Sequence, residues 1–343
     1  MSDWISPVLS FRLDRRVLSI AALLLALGFA AIVLNVGRGE YPIAVLNIVK
    51  TLFGIDTGNP DHAFVIHTLR FPRTLVAFMV GIALSISGTI FQGLTRNPLA
   101  DPSIIGINTG ASLAAVSVIV LFPDAPVYAL PFSAFAGAAL MAALIYGLAW
   151  NGGSSPILLI LMGIGLSAIA SAFTSLLITF GSIYDVSQAL VWLAGSVYGR
   201  TWEQVVSLLP WLVIFVPAAF GLARHLNILN LGEDIAKGLG SRVEWQRGLL
   251  VIVAVGLAGS AVATAGTIGF VGLIAPHVGR QLVGNRHEGL LPISALIGGV
   301  LVVLADFIGR TMFAPIELPC GVVTAVIGAP FFLYLLIRDR HSK

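Results

Sequence analysis

Arginines at the mouths of apolar segments are the first residues whose type and spacing suggest chemistry. Arg70 and Arg73 bracket Phe71 and Pro72 in the run RFPR, and Arg310 stands near the end of another apolar run. A guanidinium is a planar, permanent cation that binds carboxylates through paired hydrogen bonds. At such positions it either meets acidic groups of a partner or reaches back to the membrane interface with its charged tip in water. Asp306 lies one helical turn before Arg310 and is placed to pair with it. A second pattern is Gly163, Ser167, Ser171, Ser175 and Thr179, each four residues apart. Spacing of four keeps residues on one helix stripe, where small side chains allow close helix packing or line a weakly polar substrate path. Gly81, Ser85, Gly88 and Gln92 form a similar stripe, for which packing is the simpler reading.

Other chemistry is missing. There is no G-x-x-x-x-G-K-[ST] loop to hold ATP phosphates, no H-E-x-x-H, and no carboxylate pair inside an apolar run. The single cysteine, Cys320, excludes an internal disulfide framework, and its place between Pro319 and Gly321 reads as small packing. His277, next to Pro276, reads as structural or as part of a coupling region rather than a ligand. No catalytic residue, metal site or cofactor of the chain's own is expected. Asp101, Asp306 and Glu317 are placed at span edges, so the proton or ion relay that intramembrane charges usually mark is absent. Energy must come from a partner, or transport is passive.

The elements that position these residues follow from composition. Of 343 residues, 57% are hydrophobic and 10% charged, against about 25% charged in soluble domains. The solvent for most of this chain is therefore lipid. A net charge of +3 gives no nucleic-acid footprint. Spans of roughly 20 apolar residues fall near 17–36, 71–94, 103–121, 127–149, 156–180, 204–223, 246–265, 268–284, 292–309 and 318–337. The Gly-rich 268–284, with Pro276, is expected to be short or broken. The stretch 187–199 is too short to cross and reads as interfacial or re-entrant. Pro98 and Pro102 force a helix break between 95 and 110. Arg12, Arg15 and Arg16 precede the first span as in a signal peptide, but its apolar core is too long for one, so it is kept as a span.

Counting loops on these spans puts thirteen of the nineteen Lys and Arg residues, from Arg12 to Lys343, on the side of the termini. That predicts cytoplasmic termini. SGTIFQGL (87–94) resembles AGTIGFVGL (265–273), a hint of an inverted repeat. The longest polar cytoplasmic segment, RHLNILNLGEDIAKGLGSRVEWQR (224–247), reads as a turn at Gly232 and a two-turn helix ending at Gly240. Glu233 and Asp234 suit its N-terminal dipole. Such a projecting helix is expected to serve as a docking element.

Five segments carry a resemblance to one family. RFPRTLVAFMVGIALSISGTIFQGLTRNPLADPSIIGINTGA (70–111), the LNLGEDIAKGLG loop, GTIGFVGLIAPHVGR (266–280), LLPISALIGG (290–299) and ELPCGVVTAVIGAPFFLYLL (317–336) are similar to the FecCD-type permeases of ATP-binding-cassette importers for iron siderophores, haem and vitamin B12. The resemblance runs in order from about residue 65 to the C-terminus. It implies an all-α polytopic fold of about ten spans with an inverted repeat, like the vitamin B12 importer permease, forming a single transmembrane domain over 1–343. It implies a homodimer or a heterodimer with a paralogous permease, in membrane lipid of the bacterial inner membrane. Two ATP-binding subunits, which use the ATP and Mg, and a substrate-binding lipoprotein or periplasmic protein complete the assembly.

Residue by residue, the resemblance implies binding-protein docking at Arg70, Arg73 and Arg310. It implies ATPase coupling through a loop of about 226–242, at Leu231, Gly232, Glu233, Asp234, Ala236, Gly238, Leu239 and Gly240. Gly163, Ser167, Ser171, Ser175 and Thr179 match the helix lining the path. The stretch 185–205 looks most like the ferric-siderophore members, with haem and then cobalamin as alternative cargo. A secondary transporter without ATPases, or a membrane-embedded enzyme, would need intramembrane charges or a clustered catalytic group, and neither is found.

Overall fold

The computed structural model describes residues 14–39, 41–150 and 156–340. Arg12 and Lys343, counted above with the terminal side, lie outside the described residues. In chain order the α-helices are α1 (Arg15–Gly37), α2 (Val45–Leu52), α3 (Pro60–Phe64), α4 (Phe71–Thr95), α5 (Ile107–Leu121), α6 (Ala129–Leu148), α7 (Pro156–Phe180) and α8 (Ile183–Ala194). They continue as α9 (Trp202–Gly221), α10 (Ala223–Asn230), α11 (Glu233–Gly238), α12 (Val243–Ala265), α13 (Val271–Val283), α14 (His287–Thr311) and α15 (Cys320–Arg340). A π-helical stretch, Val65–Arg70, joins α3 to α4, giving one continuous helix from Pro60 to Thr95.

Eight helices among the described residues are long and apolar enough to cross a membrane. The two remaining expected spans are shorter: α5 has 15 residues and α13 has 13, about 22 and 20 Å at 1.5 Å per residue. The shortness of α13 follows from a break at 266–270. There Gly266 (φ 73°) and Phe270 (φ 67°) both adopt positive φ, and α13 starts only at Val271. The segment 187–199 is likewise short, forming α8 and then a loop. The suggested repeat does not extend to local structure. Residues 87–94 lie inside α4, whereas 265–273 straddle the break between α12 and α13.

α4, α12 and α14 form the centre, and small residues set how closely they pack. A Cβ at Gly81 would sit 2.2 Å from the Gly298 carbonyl oxygen, and one at Gly88 would sit 2.0 Å from that of Gly272. The Gly81–Gln92 stripe is therefore a packing face, as read from its spacing. α4 ends at Thr95, with Arg96 in the left-handed region (φ 51°). A 3-10 turn at Pro102–Ile105 then leads into α5.

α1 begins and α15 ends at the same end of the bundle. Val17 packs in one cluster with Ile293 and against Gly289, near the start of α14. α14 runs to the opposite end, where the Leu318 amide donates to the Gly309 carbonyl (2.9 Å), and α15 returns over 21 residues. Residues 222–242 lie at that same end, where Asn227 meets His287 and Glu288 at the start of α14; it is called here the loop end, and the opposite one the far end.

Candidate coupling and docking surfaces

At the far end the predicted arginines converge, but inward. Arg73 donates from Nη2 to Asp306 Oδ1 (2.7 Å) and from Nη1 to Glu317 Oε2 (2.8 Å). Its guanidinium also lies 5.4 Å from the centre of the Tyr198 ring. Asn35 Nδ2 donates to Asp306 Oδ2 and to the Val303 carbonyl, both at 3.1 Å. Arg310 donates to the Asn35 side-chain oxygen (2.7 Å) and to its backbone carbonyl. Arg70 donates to the carbonyls of Val36 (2.8 Å) and Tyr41 (2.7 Å).

All three arginines are only 7–9% exposed. They tie α1, α4, α14 and the start of α15 together, and the cluster sets three guanidiniums against two carboxylates. Glu317, at 31% side-chain exposure, is its most open charged member. Two expectations change here. Asp306 pairs with Arg73 and Asn35 rather than with Arg310. It also lies inside α14 and is buried rather than at a span edge. Helical spacing shows that Asp306 and Arg310 share a face, but it cannot show that α1 and α4 bring better partners to each. Close by, burial lowers the pKa of Arg200, in the loop after α8, from the ordinary arginine value.

At the loop end the reverse holds. Gly232 (φ 113°) turns the chain into α11, and Gly240 (φ 76°) turns it out again. Ala236 is fully buried, while Leu231, Ile235 and Leu239 are 54–64% exposed. Three large aliphatic side chains thus face solvent around one short helix. Its base is held from two sides. Arg247 of α12, itself buried, donates to Glu233 (2.5 Å) and Glu244 (3.2 Å). Asn227 of α10 donates to Glu288 (2.7 Å), and its side-chain oxygen accepts from the His287 backbone amide (3.0 Å). Both α10 and this second anchor escaped the sequence reading, because Ala223–Asn230 carries too few apolar residues to stand out as a helix. The spacing of Leu231, Ile235 and Leu239 was the available signal for the exposed stripe.

The Gly163–Thr179 stripe is divided. Gly163 is buried, and Ser167 is half-buried, accepting from the Thr109 hydroxyl (3.0 Å). Ser171, Ser175 and Thr179 are exposed, while Leu159, Ala170 and Thr174 make the packed face. A step of four overshoots the 3.6-residue turn by about 40°, so four steps swing the line through about 160°. The line therefore leaves the packed face and opens outward along its second half. Cys320 is buried beside the Gly195 carbonyl, as a packing residue would be. His277 contacts Gln281 (3.0 Å) and the edge of Phe331. Among the described residues no group of three or more His, Cys, Asp or Glu side chains is placed to hold a metal ion.

Residues 23–338 match the model of the FecCD transport family. The chain belongs to the FecCD transport family. Among its relatives, the Fe(3+)-citrate import system permease protein YfmE of Bacillus subtilis is 44% identical over 95% of this chain and 96% of its own. The iron(3+)-hydroxamate import system permease protein FhuG of the same organism is 44% identical over 89% and 92%. The Fe(3+) dicitrate transport system permease protein FecD of Escherichia coli is 43% identical over 82% and 87%. A solved metal-chelate type ABC transporter in an inward-facing conformation superimposes with a TM-score of 0.84. It is 32% identical and covers 93% of this chain and 99% of that one. This FecCD chain is accordingly a multi-pass membrane protein of the ABC permease fold.

Proposed function

We propose that the chain is the permease subunit of an ATP-binding-cassette importer that moves ferric siderophore complexes into the cytoplasm. The observation that carries this reading is α11. A membrane protein presents a short helix, anchored on two sides, whose Leu231, Ile235 and Leu239 face water. Exposed aliphatic clusters rimmed by charge mark sites where another protein binds. On this reading two ATP-binding subunits dock there and use ATP and Mg. The loop end and both termini are then cytoplasmic, in the bacterial inner membrane. The iron-complex names of the relatives support the cargo, over haem and cobalamin.

A substrate-binding protein delivers the cargo at the far end. Arg70, Arg73 and Arg310 meet its acidic residues by exchange, an incoming carboxylate taking the place of Glu317 on Arg73. The surplus of guanidiniums over carboxylates favours that exchange, and such charge pairs set orientation and encounter rate more than affinity. The exposed line Ser171, Ser175 and Thr179 faces the path between this chain and a second permease, identical or paralogous. Weakly polar walls let bulky cargo pass without holding it. ATP-driven closure of the ATPases moves α11, and its anchors pass the motion to α12 and α14.

Uptake of radioactive iron tests the proposal, in cells lacking this gene and in complemented cells. Hydroxamate, catecholate and citrate complexes and haem are each offered in turn. Loss of uptake for one siderophore class is expected, restored by the intact gene but not by a copy with residues 226–242 scrambled. Unchanged uptake of every complex removes iron as cargo.

A further inference from the structure

A groove runs between α6, α9 and α12 on the surface of the bundle, with a volume of about 430 Å³. Its floor is made of small residues: Ala139, Ala142 and Ala143 on α6, with Gly248 and Gly256 on α12. The one side-chain heteroatom in its lining is the Tyr146 hydroxyl, 3.8 Å from where a Cβ on Gly248 would stand. The three helices that form it are all long and apolar enough to span a membrane. The medium at its open side is therefore hydrocarbon.

The groove has a closed end and an open end. The Phe215 ring lies on Gly256, where a Cβ would come within 2.2 Å of it, and the Phe135 ring lies against Gly259 one turn further on. Trp211 packs on both rings, with centroid distances of 4.4 and 5.9 Å. At the other end Tyr146 packs near Trp150 (6.0 Å). Trp245, on the same face of α12 as Gly248 and Ile252, is exposed. Tyr and Trp concentrate at the level of lipid headgroups. From Gly248 to Gly256 the groove covers about 12 Å of helix, which is close to one leaflet of a hydrocarbon core about 30 Å thick.

We propose that this groove is a binding site for one acyl chain of a phospholipid in the leaflet at the loop end. The chain enters between Tyr146 and Trp245 and ends against Phe215 and Phe135 near the bilayer midplane. A helix of a second protein would have to continue across the whole bilayer, and the aromatic end wall blocks that course. Water is excluded because the lining offers it one hydroxyl. The lipid chain lies against α12, the helix whose Arg247 holds Glu233 of α11, so it is seated at the root of the exposed loop.

The test uses the full chain in phosphatidylcholine/phosphatidylglycerol vesicles containing a phospholipid with a photoreactive group along one acyl chain. Adducts are mapped by mass spectrometry. Labelling of 139–147 and 248–256 is expected to exceed that of the exposed face of α1, which carries Leu18, Leu25 and Phe29. Two variants fill the groove, Gly248→Leu and Ala143→Phe. Both positions have room: the nearest atom to a Gly248 Cβ is 3.8 Å away, and Ala143 is exposed. A side chain that fills the groove should lower groove labelling to the level of α1, because the lipid chain loses its packing there, with α1 labelling unchanged as the control for folding. Groove labelling no greater than that of α1, labelling unaffected by either variant, or protein–protein adducts at these residues would overturn the proposal.

Discussion

The two ends of the molecule invert the usual distribution of side chains. At the far end charges are hidden: Arg70, Arg73, Arg310 and Asp306 are buried and hydrogen-bonded within the chain, with only the Arg310 Nε left over among them. At the loop end apolar groups are shown: Leu231, Ile235 and Leu239 face solvent around a helix of six residues. The first arrangement spends its polar groups on holding α1, α4, α14 and α15 together. The second leaves apolar surface for something else to cover. Buried ionic groups cost desolvation energy, so they persist where the geometry among several elements is fixed. Exposed aliphatic clusters persist where a partner completes them. The far end therefore reads as a frame, and the loop end as a socket.

Four experiments break or sharpen that contrast. The largest effect should come from Asp306→Ala, which removes the buried carboxylate that Arg73 and Asn35 share. Thermal unfolding in detergent should show a loss of about 3–5 kcal/mol, as for other broken buried pairs. Replacing Arg73 by Met and Asp306 by Leu together should recover much of that loss. A midpoint unmoved by Asp306→Ala would mean that the far end is not a frame. Next, changing Leu231, Ile235 and Leu239 together to Ser should leave the unfolding midpoint unchanged. Capture of the ATP-binding subunits should fall at least about thirtyfold, the effect of losing roughly 2 kcal/mol at an interface centre. Undiminished capture would show that the stripe is no socket.

Arg247→Met releases Glu233 and Glu244 from α12. Because both carboxylates are about a third exposed, the stability cost should be only about 1 kcal/mol. Amide hydrogen exchange should nevertheless speed up in 233–238, and unchanged exchange would remove Arg247 as an anchor. Glu317→Gln should have the smallest effect on stability, below about 1 kcal/mol. If carboxylate exchange at Arg73 is right, this variant should bind the substrate-binding protein more tightly. Weaker docking would mean that Glu317 contacts that protein directly.

Composition alone determined that the chain lives in lipid, because 10% charge cannot cover a soluble globule of 343 residues. Local chemistry determined the break after Thr95, the shortness of 268–284 and the turn-flanked helix at Gly232, since Pro and Gly act on the backbone within a residue or two. Ordered motifs were enough to suggest the family. Tertiary structure alone decided what the charged and small residues do. Arg73 meets Asp306 across 233 positions of sequence and Glu317 across 244, and no periodicity reports such contacts. The Gly163–Thr179 line reads as one stripe in sequence but divides between packing and exposure, because small angular overshoots add up along a helix. The groove beneath Tyr146 is invisible in sequence, since Ala and Gly look alike whether they admit a neighbouring helix or leave room for a lipid chain.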